Sequence, residues 1–402
     1  MNALPEGALS DRKHYRLVTQ PHFVIGLRLT RRERAISLSS TRAAAPIARE
    51  IKALTTLRGI AAMAVVLYHF RPLYSRNFSI EAHTLIISRG YLWVDFFFLL
   101  SGFILCHVYA EDFIRRRIGF REFLTKRLAR IYPLHVVCLL VLLIPFFGAF
   151  GTRTSFATSL LLLHAWGTDS SLTWNYPSWS ISAEWAAYLA FPAILAVFYR
   201  TALLYAIFLA VAGVFGLDAL AAHLHPGARH SFNDMSYSFG WLRCLLLFSM
   251  GVVIYRIYKV RLSFLRSDWT FAAITVCALA AMHFGVADVV IVFCFCGLLC
   301  VAAQNEGWPK KLLAWKPLYF LGPVSYSIYM TQALVQFAFE QRPVILFVRG
   351  LSPWVAFLLY LAECLIVIGV ATITYRIVEV PGRAFVQSLV PVPRLTHTAK
   401  EA

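Results

Sequence analysis

Two ionisable side chains stand in an otherwise apolar stretch, residues 54–70, and could carry out chemistry together. They are Arg58 and His69, which lie eleven residues apart. Eleven residues make close to three helical turns, so a helix would present both side chains on one face, about 16 Å apart along its axis. Ionisable groups within a membrane span are costly and by default suggest function. The alternative is structural: Arg58 would snorkel to a membrane surface and His69 would form an ordinary interior hydrogen bond.

An acid and a tyrosine are candidates to assist this pair. Asp95 is the only acid in the apolar run 91–110. A buried carboxylate needs a partner, so we expect Asp95 to pair with Arg58 or to orient His69, unless it faces water at a helix end. Tyr326 lies in a polar, aromatic interruption of another apolar run and could donate a hydrogen bond to a reacting carbonyl. Alternatively, the hydroxyls of that segment satisfy one another.

A third acid, Glu184, follows a segment that alternates serine with tryptophan. Ser180 or Ser182 could simply cap a helix that has Glu184 in its first turn. Aromatic rings beside a carboxylate also suit stacking on a sugar face, although tryptophans gather equally at membrane interfaces. We therefore predict that Glu184 is catalytic and that Trp179, Ser180, Ser182 and Trp185 bind substrate.

Arg127 and Arg130 lie three residues apart, on neighbouring positions of one helical face. Together they could clamp phosphate groups. The alternative is topological, because basic residues concentrate in cytosolic loops of membrane proteins. We predict that Arg58, Arg127 and Arg130 form the cofactor-binding site and hold the phosphate groups of the molecule bound there.

The remainder of the chain must hold these residues in a membrane. Of its 402 residues, 59% are hydrophobic and only 14% charged. Several apolar runs have the length needed to cross a lipid bilayer. We predict an all-α, polytopic transmembrane helical bundle of about ten spans, near residues 54–72, 91–110, 131–150, 181–199, 201–219, 239–258, 269–284, 286–303, 318–340 and 353–377. The net charge of +18 lies mostly in loops, so it indicates topology rather than nucleic-acid binding.

One apolar run, residues 156–166, is too short to span comfortably, so residues 155–180 are predicted to form a re-entrant or surface segment before the fourth span. Ten spans with a cytosolic N-terminus place the basic clusters after spans six and eight in the cytosol, whereas a span at 155–170 would place them outside. We expect both termini to be cytosolic, with a basic tail, a membrane domain and a short C-terminal tail at residues 1–50, 51–385 and 386–402.

Several reaction classes lack support in the sequence. It contains no glycine-rich phosphate loop, no HExxH and no GxSxG motif. The eight cysteines fall in or beside apolar runs without zinc-ligand spacing. We therefore predict no metal site and no tightly bound cofactor.

Six segments, taken in order, resemble the acyltransferase 3 family of integral membrane O-acyltransferases, which modify bacterial surface glycans and other extracytoplasmic acceptors. The first contains Leu-Arg-Gly-Ile-Ala-Ala and ends in Tyr-His, and the fourth is Pro-Ser-Trp-Ser-Ile-Ser-Ala-Glu-Trp. The resemblance covers about residues 54–385, and its segments are residues 57–69, 94–104, 123–133, 177–185, 321–330 and 375–383.

The resemblance implies roles for particular residues. Arg58 and His69 fall on the family's essential arginine and histidine, Glu184 on an acid, and Arg127 with Arg130 on an RxxR motif. The usual donor in the family is cytosolic acetyl-CoA. Two positions depart from the pattern: a threonine replaces the acid common before the first motif, and Gln332 stands where a histidine is often found.

A hypothesis combines these observations. Arg58, Arg127 and Arg130 would hold the phosphates of acyl-CoA, whose pantetheine arm is comparable with the axial distance to His69. His69 would act as general base or be briefly acylated, with Asp95 or Glu184 fixing its tautomer and Tyr326 donating to the oxyanion. The expected enzyme is an O-acetyltransferase of the bacterial cytoplasmic (inner) membrane that acts on a polysaccharide or lipid-linked sugar. The alternatives are a transporter or flippase of a polar solute, which has no inverted repeat in its favour, and a non-catalytic scaffold.

Overall fold

The structure is a computed structural model and describes residues 50–144, 151–224 and 231–389. Within these ranges the regular elements are all helical. The helices are α1 Lys52–Tyr74, α2 Trp93–Ile114, α3 Phe120–Val141, α4 Arg153–Leu160, α5 Trp179–Ile194, α6 Leu203–Leu224, α7 Ser231–Asp234, α8 Gly240–Val260, α9 Asp268–His283, α10 Asp288–Gln304, α11 Trp308–Leu313, α12 Lys316–Phe339, α13 Arg342–Arg349, α14 Pro353–Thr374 and α15 Val380–Ser388. The predicted tails fall outside the described residues, except for Glu50 and residues 386–389.

Six helical segments are long and apolar enough to cross a membrane. They include α1, α6 and α8 whole, α2 and α5 with the short turns beside them, and α14 continued through α15. This is the architecture of a multi-pass membrane protein, and the six segments overlap six of the predicted spans. Helices α9 and α10 are apolar but have only 16 and 17 residues. The total of about ten spans therefore stays a prediction.

The segment between α3 and α5 contains no spanning helix among its described residues. The eight-residue helix α4 begins with a capping box, in which Thr152 and Ser155 satisfy each other's backbone N–H groups. Turns then lead to a short 3₁₀ helix, Tyr176–Ser178, that runs directly into α5. The placement of residues 155–180 as a re-entrant or surface segment stays a prediction.

Helices α1 and α12 pack closely and in register. Arg58 bonds to Ser325, and the backbone carbonyl of His69 accepts a hydrogen bond from Gln336. The two contacting residues of α1 are eleven residues apart, and so are the two of α12. The helices therefore run in the same direction over about three turns. Glycines permit the approach, because a Cβ on Gly59 would lie 2.6 Å from the backbone of α12. The polar faces of α1 and α12 are thereby held side by side.

A second close contact joins α2 to α8. A Cβ on Gly102 would overlap the carbonyl oxygen of Phe248, and one on Gly251 would overlap the carbonyl oxygen of Leu99. The small residues Ser101 and Gly102 allow this close approach of the two helices. This contact brings the side chains of α8 against the first turns of α2, where Asp95 lies.

Candidate active site

A small cavity collects most of the charged residues that the sequence singled out. It has a volume of about 150 Å³ and lies among α1, α2, α3, α5 and α12. We call it the Arg58 cavity, and its lining includes Arg58, Arg127, Arg130, Glu184 and Tyr326. The Arg58 guanidinium is fixed to α12, since Nε donates to Ser325 Oγ at 2.8 Å and Nη2 to the Gly322 carbonyl at 2.9 Å. A cationic group is thus held rigidly at the cavity wall.

The two arginines of α3 differ in how they are held. Arg130 forms an ion pair with Glu379, whose other carboxylate oxygen accepts a hydrogen bond from Ser327 at 2.8 Å. Arg127 donates to the Tyr109 hydroxyl at 2.8 Å, and its buried Nε has no partner within the described part of the chain. Arg130 is therefore largely neutralised by the protein, whereas Arg127 keeps donor capacity for an anion.

Glu184 lies on the Arg58 cavity rather than beside His69. Its carboxylate accepts hydrogen bonds from Ser101 and from the Tyr188 hydroxyl. The expectation that Glu184 fixes the tautomer of His69 is therefore wrong in this geometry. These two hydroxyl donors stabilise the carboxylate at the cavity wall instead.

His69 opens into a different and larger cavity of about 450 Å³, which we call the His69 cavity. The imidazole packs on the Tyr176 ring with their centroids 4.8 Å apart. Neither ring nitrogen hydrogen-bonds to another residue of the described ranges, although Trp179, Arg243 and Tyr329 also line the cavity. The imidazole is therefore available to exchange a proton with a molecule bound there.

Tyr329 separates the two cavities and lines both of them. Its hydroxyl is hydrogen-bonded to Ser180 Oγ at 2.8 Å, and the edge of its ring meets Phe97 with centroids 5.7 Å apart. Arg58 and His69 therefore line two different cavities along helices α1 and α12, and Tyr329 borders both cavities.

Asp95 has a partner that the sequence reasoning missed. Arg243 of α8 donates to both its carboxylate oxygens, from Nε at 2.6 Å and Nη2 at 2.8 Å. The expected pairing of Asp95 with Arg58 or His69 is therefore wrong, because the glycine contact between α2 and α8 brings Arg243 nearer. The signal that could have found it was Arg243 itself, one of two arginines in the apolar run near residues 240–258.

Three further expectations need correction. The Tyr326 hydroxyl donates to the Ile131 carbonyl, so it is not free to donate to an oxyanion. Ser182 bonds to the Leu162 carbonyl at 2.8 Å and accepts from the backbone N–H of Ala165, which ties the preceding loop to α5. Trp185 lines neither cavity and packs edge-to-face on Tyr188. These side chains hold the site together, whereas Trp179 and Ser180 do reach a cavity wall.

Gln332 lies on the same face of α12 as Tyr329 and Gln336. It is fully buried, and neither its amide nitrogen nor its amide oxygen has a hydrogen-bond partner in the described ranges. A neutral amide therefore lies within the helix interface, at the position where the sequence resemblance often has a histidine.

The protein is a multi-pass helical bundle with two neighbouring cavities, one lined by guanidinium groups and the other by a free imidazole. This combination is suited to a group-transfer enzyme embedded in a membrane. Residues 51–376 match the family model described as an acyltransferase domain. The chain belongs to this family, acyltransferase 3. No solved structure matches it.

Three curated relatives extend the comparison. Acyltransferase MdmB of Streptomyces mycarofaciens is 33% identical over 153 residues, covering 35% of this chain and 38% of the relative. Protein 2 in picA locus of Rhizobium radiobacter is 37% identical over 86 residues, covering 21% and 40%. O-acetyltransferase OatA of Staphylococcus aureus is 23% identical over 375 residues, covering 83% and 57%. The matched regions span less than two thirds of each relative.

Proposed function

We propose that this membrane O-acyltransferase moves an acetyl or other short acyl group from cytosolic acyl-CoA to a hydroxyl group of an extracytoplasmic acceptor, a polysaccharide or a lipid-linked sugar. The enzyme would lie in a bacterial cytoplasmic membrane with both termini in the cytosol. The Arg58 cavity then faces the donor side and the His69 cavity the acceptor side.

The observation that carries this proposal is the pair of cavities along α1 and α12. A donor thioester and an acceptor hydroxyl that come from opposite sides of a membrane need two entrances and one meeting point. Arg58 and His69 line the two chambers, about 16 Å apart along α1. Tyr329 borders both, so the meeting point lies at its ring.

The donor would be held by positive charge. Arg58 and Arg127 offer N–H groups to the phosphates of acyl-CoA, and Arg130 adds to their field while paired with Glu379. The pantetheine arm would follow the α1–α12 interface, past Glu184 and Ser180, and bring the thioester to Tyr329. The acetyl group is proposed because one relative bears the name O-acetyltransferase, and CoA because the family resemblance implies it as the usual donor.

The transfer would use His69 as general base. An imidazole nitrogen takes the proton of the acceptor hydroxyl while the hydroxyl oxygen bonds to the thioester carbonyl carbon. The carbon–sulfur bond then breaks, and the CoA sulfur leaves with its electron pair and takes up the proton from the imidazolium. The rings of Trp179 and Tyr176, which line the His69 cavity, would stack on a sugar acceptor.

The test is acyl transfer by purified protein in lipid nanodiscs, with radiolabelled acetyl-CoA as donor and maltotetraose as a neutral sugar acceptor. Release of free CoA thiol and labelling of the sugar are measured together. His69→Ala should lower turnover by about 10²–10⁴-fold, the usual contribution of a general base. His83→Ala is the matched control, because His83 is an exposed histidine in the connection between α1 and α2.

Two outcomes would contradict the proposal. Near-normal turnover by well-folded His69→Ala protein would remove the general base from the mechanism. Transport of the sugar by the wild type without any release of CoA would instead favour the transporter reading of the same intramembrane ionisable groups. Loss of surface polysaccharide O-acetylation in a strain lacking the gene would support the proposed acceptor class.

A further inference from the structure

A third cavity lies apart from Tyr329 and plays no part in the mechanism above. It has a volume of about 520 Å³, within the range of about 300–1,000 Å³ typical of small-molecule sites. We call it the Arg261 cavity. It is enclosed by the start of α1, the second half of α2, the ends of α8 and α10, and α11.

The charge of this cavity is mainly positive. Four cations line it, Lys52, Arg261, Arg266 and Lys310, against the carboxylates of Glu50 and Glu306. Arg266 forms an ion pair with Glu306, and the hydrogen bond in that pair lowers the pKa of the Glu306 carboxyl.

The other three cations of the lining, Lys52, Arg261 and Lys310, form no ion pair with any described residue. Their positive charges are therefore available to bind an anion.

A buried side chain in the wall also lacks a partner. Gln304, at the end of α10, is 6% exposed and lines the cavity. Its amide oxygen has no hydrogen-bond donor among the described residues, and its nitrogen has only a long contact of 3.7 Å to the Cys300 sulfur. Buried polar atoms are nearly always satisfied, so a ligand with an N–H group would complete this wall.

The remaining features suit a flat aromatic base. The rings of His107 and Tyr258 line the cavity and meet edge-to-face with centroids 6.4 Å apart. Arg261 directly follows α8 in a left-handed conformation, with φ of 53°, which an arginine adopts at some cost. This backbone turn places the guanidinium at the cavity that the aromatic rings border.

We propose that the Arg261 cavity binds the phosphorylated adenosine end of the acyl-CoA donor. The cations would bind the phosphate groups nearest the adenosine, which leaves the phosphate next to the pantetheine arm to Arg58 and Arg127. The Gln304 amide oxygen would accept a hydrogen bond from the adenine amino group. Helices α1 and α2 line both cavities. Lys52 and His107 line the Arg261 cavity, and Arg58 and Ile104 line the Arg58 cavity. This inference rests on the proposed function, because it divides one donor between two cavities.

The first experiment compares two donors in nanodiscs, acetyl-CoA and acetyl-pantetheine, which lacks the nucleotide. Arg261→Asn removes the charge while asparagine tolerates the left-handed backbone, and Lys310→Gln removes a second charge. The double variant should raise the KM for acetyl-CoA by about tenfold or more and leave the KM for acetyl-pantetheine unchanged. Lys311→Gln is the matched control, since Lys311 is exposed beside Lys310 but does not line the cavity.

The second experiment measures binding without catalysis, by titration of adenosine 3′,5′-bisphosphate and its inosine analogue, which lacks the amino group. Wild type should prefer the adenosine compound by about tenfold, and Gln304→Leu should abolish the preference. Equal affinity for both compounds in the wild type, or inorganic phosphate bound as tightly as either, would overturn the inference.

The two proposals fail in distinguishable ways. If wild-type protein turns over neither donor, the proposed function fails, and the titration still decides whether the cavity recognises adenosine. If both donors are used and the double variant changes their KM values equally, the function stands and the nucleotide site is refuted.

Discussion

The buried ion pair between Asp95 and Arg243 gives the sharpest test of the geometry. Their side chains are 0% and 1% exposed and share two hydrogen bonds. Removing one member leaves a charge without its partner among buried side chains, which costs about 3–5 kcal/mol. That is a change of at least about two powers of ten in the ratio of folded to unfolded protein. We therefore expect Asp95→Leu and Arg243→Met each to destabilise the protein severely.

The double variant, Asp95→Leu with Arg243→Met, should be no less stable than either single variant, because it removes both charges at once. Stability would be measured by denaturant titration in detergent micelles and by size-exclusion chromatography after heating. A double variant whose loss equals the sum of the two single losses would refute the coupling.

Activity supplies the second part of this test. Asp95→Asn keeps the shape of the side chain, and Asp95 makes no hydrogen bond to His69. We therefore expect CoA release per folded molecule to stay within about tenfold of wild type, less than the 10²–10⁴-fold effect of a general acid or base. A larger loss in well-folded protein would restore Asp95 as the group that orients His69.

Three further predictions concern packing, substrate contact and the wall between the cavities. Gly59→Ala should lower stability by about 1–3 kcal/mol, because its Cβ overlaps α12, whereas Gly369→Ala meets nothing within 4 Å and should be neutral or stabilising in a thermal melt. Trp179→Ala should raise the KM for the acceptor and Trp185→Ala should not, since Trp179 lines the His69 cavity and Trp185 does not. Tyr329→Ala should increase CoA release in the absence of acceptor by admitting water to the thioester, and an unchanged rate would contradict its role as a wall.

Helical periodicity predicted part of the site well. It placed Arg58 and His69 on one face of α1, and both residues contact α12, Arg58 through its side chain to Ser325 and His69 through its backbone carbonyl to Gln336. It also suggested that Arg127 and Arg130 act together, and both line one cavity. These relations are local to a helix, so the sequence contains them.

Assignments that depended on contacts between helices were less reliable. Asp95 was given the wrong partner because Arg243 is 148 residues away, and only the packing of α2 on α8 brings the two together. Tyr326 and Ser182 lost their expected roles because each hydroxyl is bonded to a backbone carbonyl of another segment. A sequence shows that a polar group needs a partner, but not which one it finds.

The sequence by itself determined an all-helical membrane chain, its family and the three-turn spacing of a guanidinium and an imidazole, since these follow from composition, motif order and helical period. Only the tertiary structure decided that the two groups open into separate cavities with Tyr329 between them. The physical reason is that a cavity is the space left between helices. Its walls depend on how closely α1 approaches α12, whose paired residues are 267 positions apart in the chain.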